Sequence, residues 1–162
     1  MSTVRFYSDP HFHHKNMAVK RGFKDEIEMN EYIIKEWNNI VTKKDVTWIL
    51  GDITMEKNNY EILNKLNGLK KIILGNHDLP QHVKYLLNYC NSVSSCFKIG
   101  VKELKSNVIL THIPIHESEI NRFKYNIHGH VHDKSLLDKR YINVSAEVID
   151  YKPKTLEELL NE

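Results

Sequence analysis

Five short stretches of this 162-residue chain carry side chains able to hold a cation. Asp9-Pro10-His11 is the first. In an extended segment, side chains two residues apart point the same way, so this carboxylate and imidazole can grip one ion. A turn with an incidental histidine is the plain alternative. Gly51-Asp52 is the second: the glycine permits a tight turn, and the two carboxylate oxygens can bridge two cations, although turns use Gly-Asp widely. Gly75-Asn76-His77-Asp78 joins an amide oxygen suited to hard cations with an imidazole suited to acid–base work. Turn chemistry accounts for Gly75 and Asn76, but not for their place directly after Ile72-Ile73-Leu74. His112 is the fourth feature, and a lone histidine at a strand end is usually structural. The fifth is His128-Gly129-His130-Val131-His132. Gly129 implies a turn that separates the directions of its neighbours, so His130 and His132 can serve different ions. Imidazoles packed this closely would repel one another if protonated, unless metal or acid neutralised them.

The elements that must position these residues read as an alternation of short β-rich runs with helical patterns, which indicates α/β architecture. Strands are expected over 3–8, 46–50, 71–74, 97–104, 108–111, 125–127 and 141–145. The clearest helix is expected over 26–41, with acidic residues in its first turn and an apolar side formed by Ile27, Tyr32, Ile34, Trp37 and Val41. Further helices are expected over 60–66, with Gly68 as a stop, and over 82–88 and 156–160. Asp9, Asp52, Asn76 and His112 each follow an expected strand. In open α/β sheets, ligands bind beyond the carboxyl ends of the strands. Four residues of ligand type are thus placed where one site would be built.

The bulk properties narrow the class. At 162 residues a single domain is expected, long enough for a core without disulfides. A net charge of +2 gives no basic surface for nucleic acid or membrane, so nucleic acid is an unlikely partner. Cys90 and Cys96 form no short metal-binding pair, which suits a reduced cytoplasmic protein. The first residues do not read as a signal peptide, and no run approaches a membrane span.

Taken in order, the five stretches resemble the calcineurin-like metallophosphoesterase superfamily, whose pattern is Asp-x-His, Gly-Asp, Gly-Asn-His-Asp/Glu, His and Gly-His-x-His. The resemblance is closest to short phage and bacterial members, through the run from Asp9 to Asn16, the His128–His132 run, Arg140 to Ser145, and an acidic, aromatic tail from Glu147 to Pro153. It implies a four-layer α-β-β-α sandwich of two mixed sheets flanked by helices, as one domain over 1–162. It also implies two divalent metal ions. One would take Asp9, His11, Asp52 and His132; the other Asp52, Asn76, His112 and His130, with Asp52 bridging. Two dications about 3.5–4 Å apart repel by about 15–20 kcal/mol at an effective dielectric of about 20, so anions must surround them. Oxygen and imidazole donors without thiolate suit Mn, Fe, Zn, Co or Ni, and Mn is expected to support activity.

The activity implied is hydrolysis of phosphate mono- or diesters of small, nucleotide-derived or other, substrates by in-line attack of a metal-bridging hydroxide. His77 would protonate the leaving alkoxide or hold the transition-state oxygens, with Asp78 orienting it. Larger relatives carry a further Asp and an Arg after Gly-Asp, where this chain has Ile53-Thr54-Met55-Glu56-Lys57. His14, Arg122 and Arg140 are the candidates to contact phosphate instead; His13 and His82 read as solvated, and His116 and His128 as neighbours of the pocket. A nuclease, a catalytically silent interaction module and a single structural zinc are the competing readings. A tetrahedral zinc could not use seven ligands. Sequence does not specify the oligomeric state.

Overall fold

The structure, a computed structural model, describes residues 2–56, 59–102 and 104–161. Lys57, in the segment after Gly51-Asp52, and Glu103, in the expected strand over 97–104, lie outside the described residues. The order is β1 (Val4–Tyr7), α1 (Lys15–Lys20), α2 (Glu26–Ile40), β2 (Val46–Ile49), β3 (Leu69–Ile73), α3 (Val83–Leu86), β4 (Ser92–Ser94), β5 (Phe97–Val101), β6 (Ser106–Leu110), β7 (Tyr125–His128), β8 (Tyr141–Asn143) and α4 (Leu156–Leu160). Turns of 3-10 helix cover Glu61–Lys65, Pro80–His82 and Ile120–Arg122.

These strands form two four-stranded sheets flanked by helices. The first runs β1-β2-β3-β4 and is parallel throughout, with Phe6 opposite Trp48 and Ile49 opposite Ile72. The second runs β5-β6-β7-β8: β5 and β6 make an antiparallel pair, and β6, β7 and β8 run parallel. Ser8, just past β1, bridges to Ser145, just past β8, and its backbone N–H donates to the Val144 carbonyl at 2.8 Å. The two sheets are therefore joined at the end where β1 and β8 terminate.

Helix α2 shows how packing selects a face. Asp25 caps it by accepting from Glu28 N–H at 2.9 Å, and Glu26 and Glu28 place negative charge in the first turn. Met29, Ile33 and Trp37, one turn apart, form the buried row, and Trp37 meets Tyr7 edge-on at 5.3 Å. The apolar side expected from sequence is corrected at two positions: Ile27 is 63% exposed and Tyr32 is 40% exposed. At about 100° per residue Ile27 points away from that row, and Tyr32 stacks instead with Phe23 and Tyr151 on the helix flank.

Gly68 marks the turn before β3 with φ +84°, and a Cβ there would stand 2.8 Å from the Asp45 carbonyl. The run expected as helix over 60–66 is a 3-10 turn, and α1 and β4 appear where neither was expected. α1 buries only Ala18, and β4 is three residues of Ser-Val-Ser, so neither leaves a periodic apolar signal. Both thiols, Cys90 and Cys96, are free. Among the described residues no helix is long and apolar enough to cross a membrane.

Candidate metal centre

All the parallel strands that carry polar residues at their carboxyl ends deliver them to one edge. Asp9 follows β1, Asp52 follows β2, Asn76 follows β3, His112 follows β6, and His130 and His132 follow β7. The chain then turns sharply. Asp9 (φ 55°), His11 (φ 48°), Asp52 (φ 53°), His130 (φ 69°) and His132 (φ 53°) all occupy the left-handed region, which disfavours residues other than glycine. Asp9 and His11 thus come together through two left-handed kinks rather than through the alternation of an extended segment, which corrects the geometry expected from their spacing. Strain of this kind persists only where surrounding structure enforces it. Close backbone approach enforces it here: a Cβ on Gly51 (φ +91°) would lie 2.5 Å from Gly75 Cα, and one on Gly129 would collide with Ser8 Oγ and Asp9 Oδ2.

Two groups of ligand-type atoms result. Asp9, His11 and His132 form one; Asp52, His112 and His130 form the other, and within each the ligand atoms lie inside 4.8 Å of one another. Asp52 Oδ2 lies 3.4 Å from His112 Nε2 and 3.7 Å from His11 Nε2, so a single carboxylate faces both groups. Asn76 Oδ1 lies 2.9 Å from His112 Nε2 and 2.9 Å from His130 Nδ1.

The hydrogen-bond partners show what the groups lack. His112 Nδ1 lies 2.7 Å from the Leu50 carbonyl, which can only accept, so Nδ1 carries the proton and Nε2 is left for another partner. Asp9 Oδ2 accepts from His130 N–H at 2.9 Å and from Ser145 Oγ at 3.1 Å. Asp9 Oδ1, His11 Nδ1 and His11 Nε2 are buried with no hydrogen-bond partner, although His11 Nε2 lies 3.7 Å from Asp9 Oδ1. Buried polar atoms without hydrogen bonds are costly, and Asp9 Oδ1 and His11 Nε2, 3.7 Å apart, are a pair that a cation would satisfy. The donor set fits the metals expected from the sequence.

Electrostatics agree. Burial would raise the Asp9 and Asp52 carboxyls, but the nearby His11 and His112 rings outweigh it at Asp9, and His112 outweighs it at Asp52, holding both below the usual carboxylate range. Burial would lower His112, yet its bond to Asp52 and the nearby Asp9 charge raise it.

His77 stands at the mouth. Its side chain is 45% exposed, its Nε2 lies 4.0 Å from Asp52 Oδ2, and its backbone N–H donates to Asp52 Oδ1 at 3.0 Å. Asp78 does not orient it. The buried Asp78 carboxylate accepts from the backbone N–H groups of Asp52, Ile53 and Gly75 at 2.8, 3.0 and 2.8 Å, bracing the loop that carries Asp52. Burial holds its carboxyl above the usual range against those three donors. A cleft of about 220 Å³ opens beside His77, between Thr54, Met55, Tyr60, Leu79 and His82.

Of the phosphate-contact candidates, His14 is half-buried at the N-cap of α1 with its ring 5.5 Å from that of His11. Arg122 is 73% exposed and pairs with Glu119, while Arg140 is engaged with Asp138 and Asn121. No described contact links either arginine to the two groups. His82 is half-buried on the wall of that cleft rather than solvated. His13, also expected to be solvated, is half-buried against Asn30, with its Nδ1 3.2 Å from the amide nitrogen. His116 is exposed, and the buried His128 contacts the Gly129 carbonyl through Nδ1 at 2.9 Å. Sequence reasoning missed two residues. Glu147 accepts from His132 Nδ1 at 2.8 Å, and Arg21 pairs with Glu147 at 2.5 Å. Arg21 lies in no motif, and Glu147 was legible only as the start of the acidic, aromatic tail, not as a partner of His132.

Three known proteins are similar to this chain over most of its length. An uncharacterized protein of Methanocaldococcus jannaschii is 35% identical over an alignment of 170 positions, covering 97% of this chain and 89% of the relative. The Gene 66 protein of Mycobacterium phage L5 is 29% identical, with 86% and 82% covered. The crystal structure of a protein of unknown function from Aquifex aeolicus superposes with a TM-score of 0.79 at 26% identity, covering 99% of each chain. No protein-family model matches.

Proposed function

We propose that this chain, which belongs to the family of the uncharacterized Methanocaldococcus jannaschii protein, is a single metallophosphoesterase domain over residues 1–162 that hydrolyses small phosphate mono- or diesters. The observation that carries this reading is the Asp52 carboxylate standing between two His-containing groups, with Asp9 Oδ1 and both ring nitrogens of His11 buried and unpaired beside it. One group would hold an ion through Asp9, His11 and His132, the other through Asn76, His112 and His130, with Asp52 shared. Two divalent ions, when bound, would acidify a water and offset charge on phosphoryl oxygens.

The chain's own residues supply the rest. Asp9 and Asp52 are the only carboxylates in the two groups, so four positive charges would meet two negative ones. The surplus attracts an anionic ester. His77 Nε2, half-exposed at the mouth, is placed to give a proton to a departing alkoxide or to hold a phosphoryl oxygen. The adjoining cleft is lined by Met55, Tyr60 and Leu79 together with the Glu56 carboxylate, which suits an apolar leaving group without negative charge. His14 is the candidate for a second phosphate contact.

The test is hydrolysis by Mn²⁺-loaded protein of aryl mono- and diesters, cyclic nucleotides and dinucleotides, with Asp52→Asn as control. Metal-dependent turnover that Asp52→Asn abolishes is the expected result. Stoichiometric metal binding with no hydrolysis of any ester would leave a metal-binding module instead.

A further inference from the structure

The group Asp9–His11–His132 is assembled from two parts of the molecule. Asp9 and His11 leave β1 of the first sheet, whereas His132 follows β7 of the second. A continuous set of contacts spans the gap between them. His132 Nδ1 lies 2.8 Å from Glu147 Oε1, and Glu147 Oε2 accepts from Arg21 Nη2 at 2.5 Å. The same nitrogen donates to the Asp9 carbonyl at 2.7 Å, and Arg21 Nη1 donates to the Pro10 carbonyl at 3.2 Å. Arg21 is the residue that ends α1, and its side chain is almost wholly buried.

Two consequences follow from the donor inventory. A carboxylate only accepts, so Nδ1 of His132 carries a proton and, in the neutral ring, the lone pair is on Nε2. Arg21 in turn locks that carboxylate to the backbone of the loop bearing Asp9. The planar guanidinium can do this because its donors are held in a rigid fork. His112 has only the Leu50 carbonyl in the corresponding place, so the arrangement is specific to one group.

We propose that Glu147 and Arg21 are positioning residues for a cation held by Asp9, His11 and His132, an inference that rests on the metal reading above. Glu147 fixes the tautomer and ring of His132. Arg21 sets where that ring stands relative to Asp9. The bland alternative is an ion pair that merely staples the tail to the first loop.

Calorimetric titration of metal-free protein with Co²⁺ separates the two, alongside thermal melts of the same samples. Wild type is expected to take up two ions per chain in two resolvable steps. Glu147→Ala should weaken one step by about 10–100-fold and leave the other unchanged. Glu147→Gln keeps the shape and an acceptor for His132 but loses the charge facing Arg21, and should weaken the same step less; it carries the test if the alanine variant does not fold. In a His132→Ala background, adding Glu147→Ala should change Co²⁺ affinity no further. Both steps at wild-type strength in a Glu147 variant with a lowered melting temperature would establish the staple and overturn the proposal. Equal weakening of both steps would overturn it too. Wild type that binds no Co²⁺ would remove the metal reading itself, a failure distinct from either.

Discussion

Strand β2 has an aspartate near each end, and the two are treated very differently. Asp45, before the strand, is buried and accepts from Thr42 N–H at 2.8 Å and Thr3 N–H at 2.9 Å. Its oxygens are used up by local backbone donors, and it closes the turn that leads into the sheet. Asp52, after the strand, accepts one backbone N–H from His77, and its other oxygen faces His11, His77 and His112 at 3.7, 4.0 and 3.4 Å. The same residue type on the same strand is structural at one edge and poised at the other. The difference lies in the neighbours: the carboxyl ends of the parallel strands bring several loops together at once, and those loops present imidazoles instead of N–H groups.

Four substitutions would break or sharpen that contrast. The largest effect is expected from Asp52→Asn, which removes the charge shared by both groups; initial rates on an aryl phosphodiester with Mn²⁺ should fall by about 10³-fold. Retention of near-normal rates would erase the distinction between the two strand ends. His77→Ala should lower turnover by about 10²-fold while metal content, measured by atomic emission, stays at the wild-type level. Lost metal would instead make His77 part of the binding set. Gly129→Ala pushes a methyl into Ser8 Oγ and Asp9 Oδ2 and should destabilise the metal-free protein by about 1–3 kcal/mol in chemical denaturation.

Asp45→Asn should have the smallest effect and none on turnover. Losing charged hydrogen bonds costs about 1 kcal/mol, a shift of about 2–4 °C in melting temperature at neutral pH. Its pH dependence has a definite sign. Backbone donation from Thr42 and Thr3 lowers the Asp45 carboxyl below its ordinary value. Its stabilisation is therefore present above the unfolded pKa of about 3.9 and disappears as pH falls through the lower folded value. Melting curves of wild type and variant should converge in acid, and a gap that widens there would refute the assignment of Asp45 as a satisfied structural carboxylate.

Much of the first sheet was legible, since β1, β2 and β3 are short runs rich in β-branched, aromatic and other apolar residues and each is closely followed by a ligand-type residue. The face of α2 was less so. Its sequence has more apolar residues than its buried row can use, and only packing against Tyr7 and its neighbours separates Ile33 from Ile27. β4 and α1 were invisible because short, polar segments acquire their shape from the elements beside them. At the site, the types and order of Asp9, His11, Asp52, Asn76, His112, His130 and His132 could be read directly. The roles of their supporters could not. Asp78 adjoins His77 in sequence, yet its carboxylate serves the Asp52 loop; Glu147 lies 15 residues past His132 and meets its ring.

The sequence by itself determined which chemistry was on offer, because a carboxylate, an amide and a set of imidazoles at strand ends keep their donor properties wherever the chain goes. The family resemblance already implied how they are shared out, His130 with Asp52 and His132 with Asp9; only the tertiary structure decided by what geometry neighbours separated by one residue reach different groups. That geometry depends on left-handed turns, glycine-permitted close approach and bonds between distant segments, which spacing along a chain does not encode.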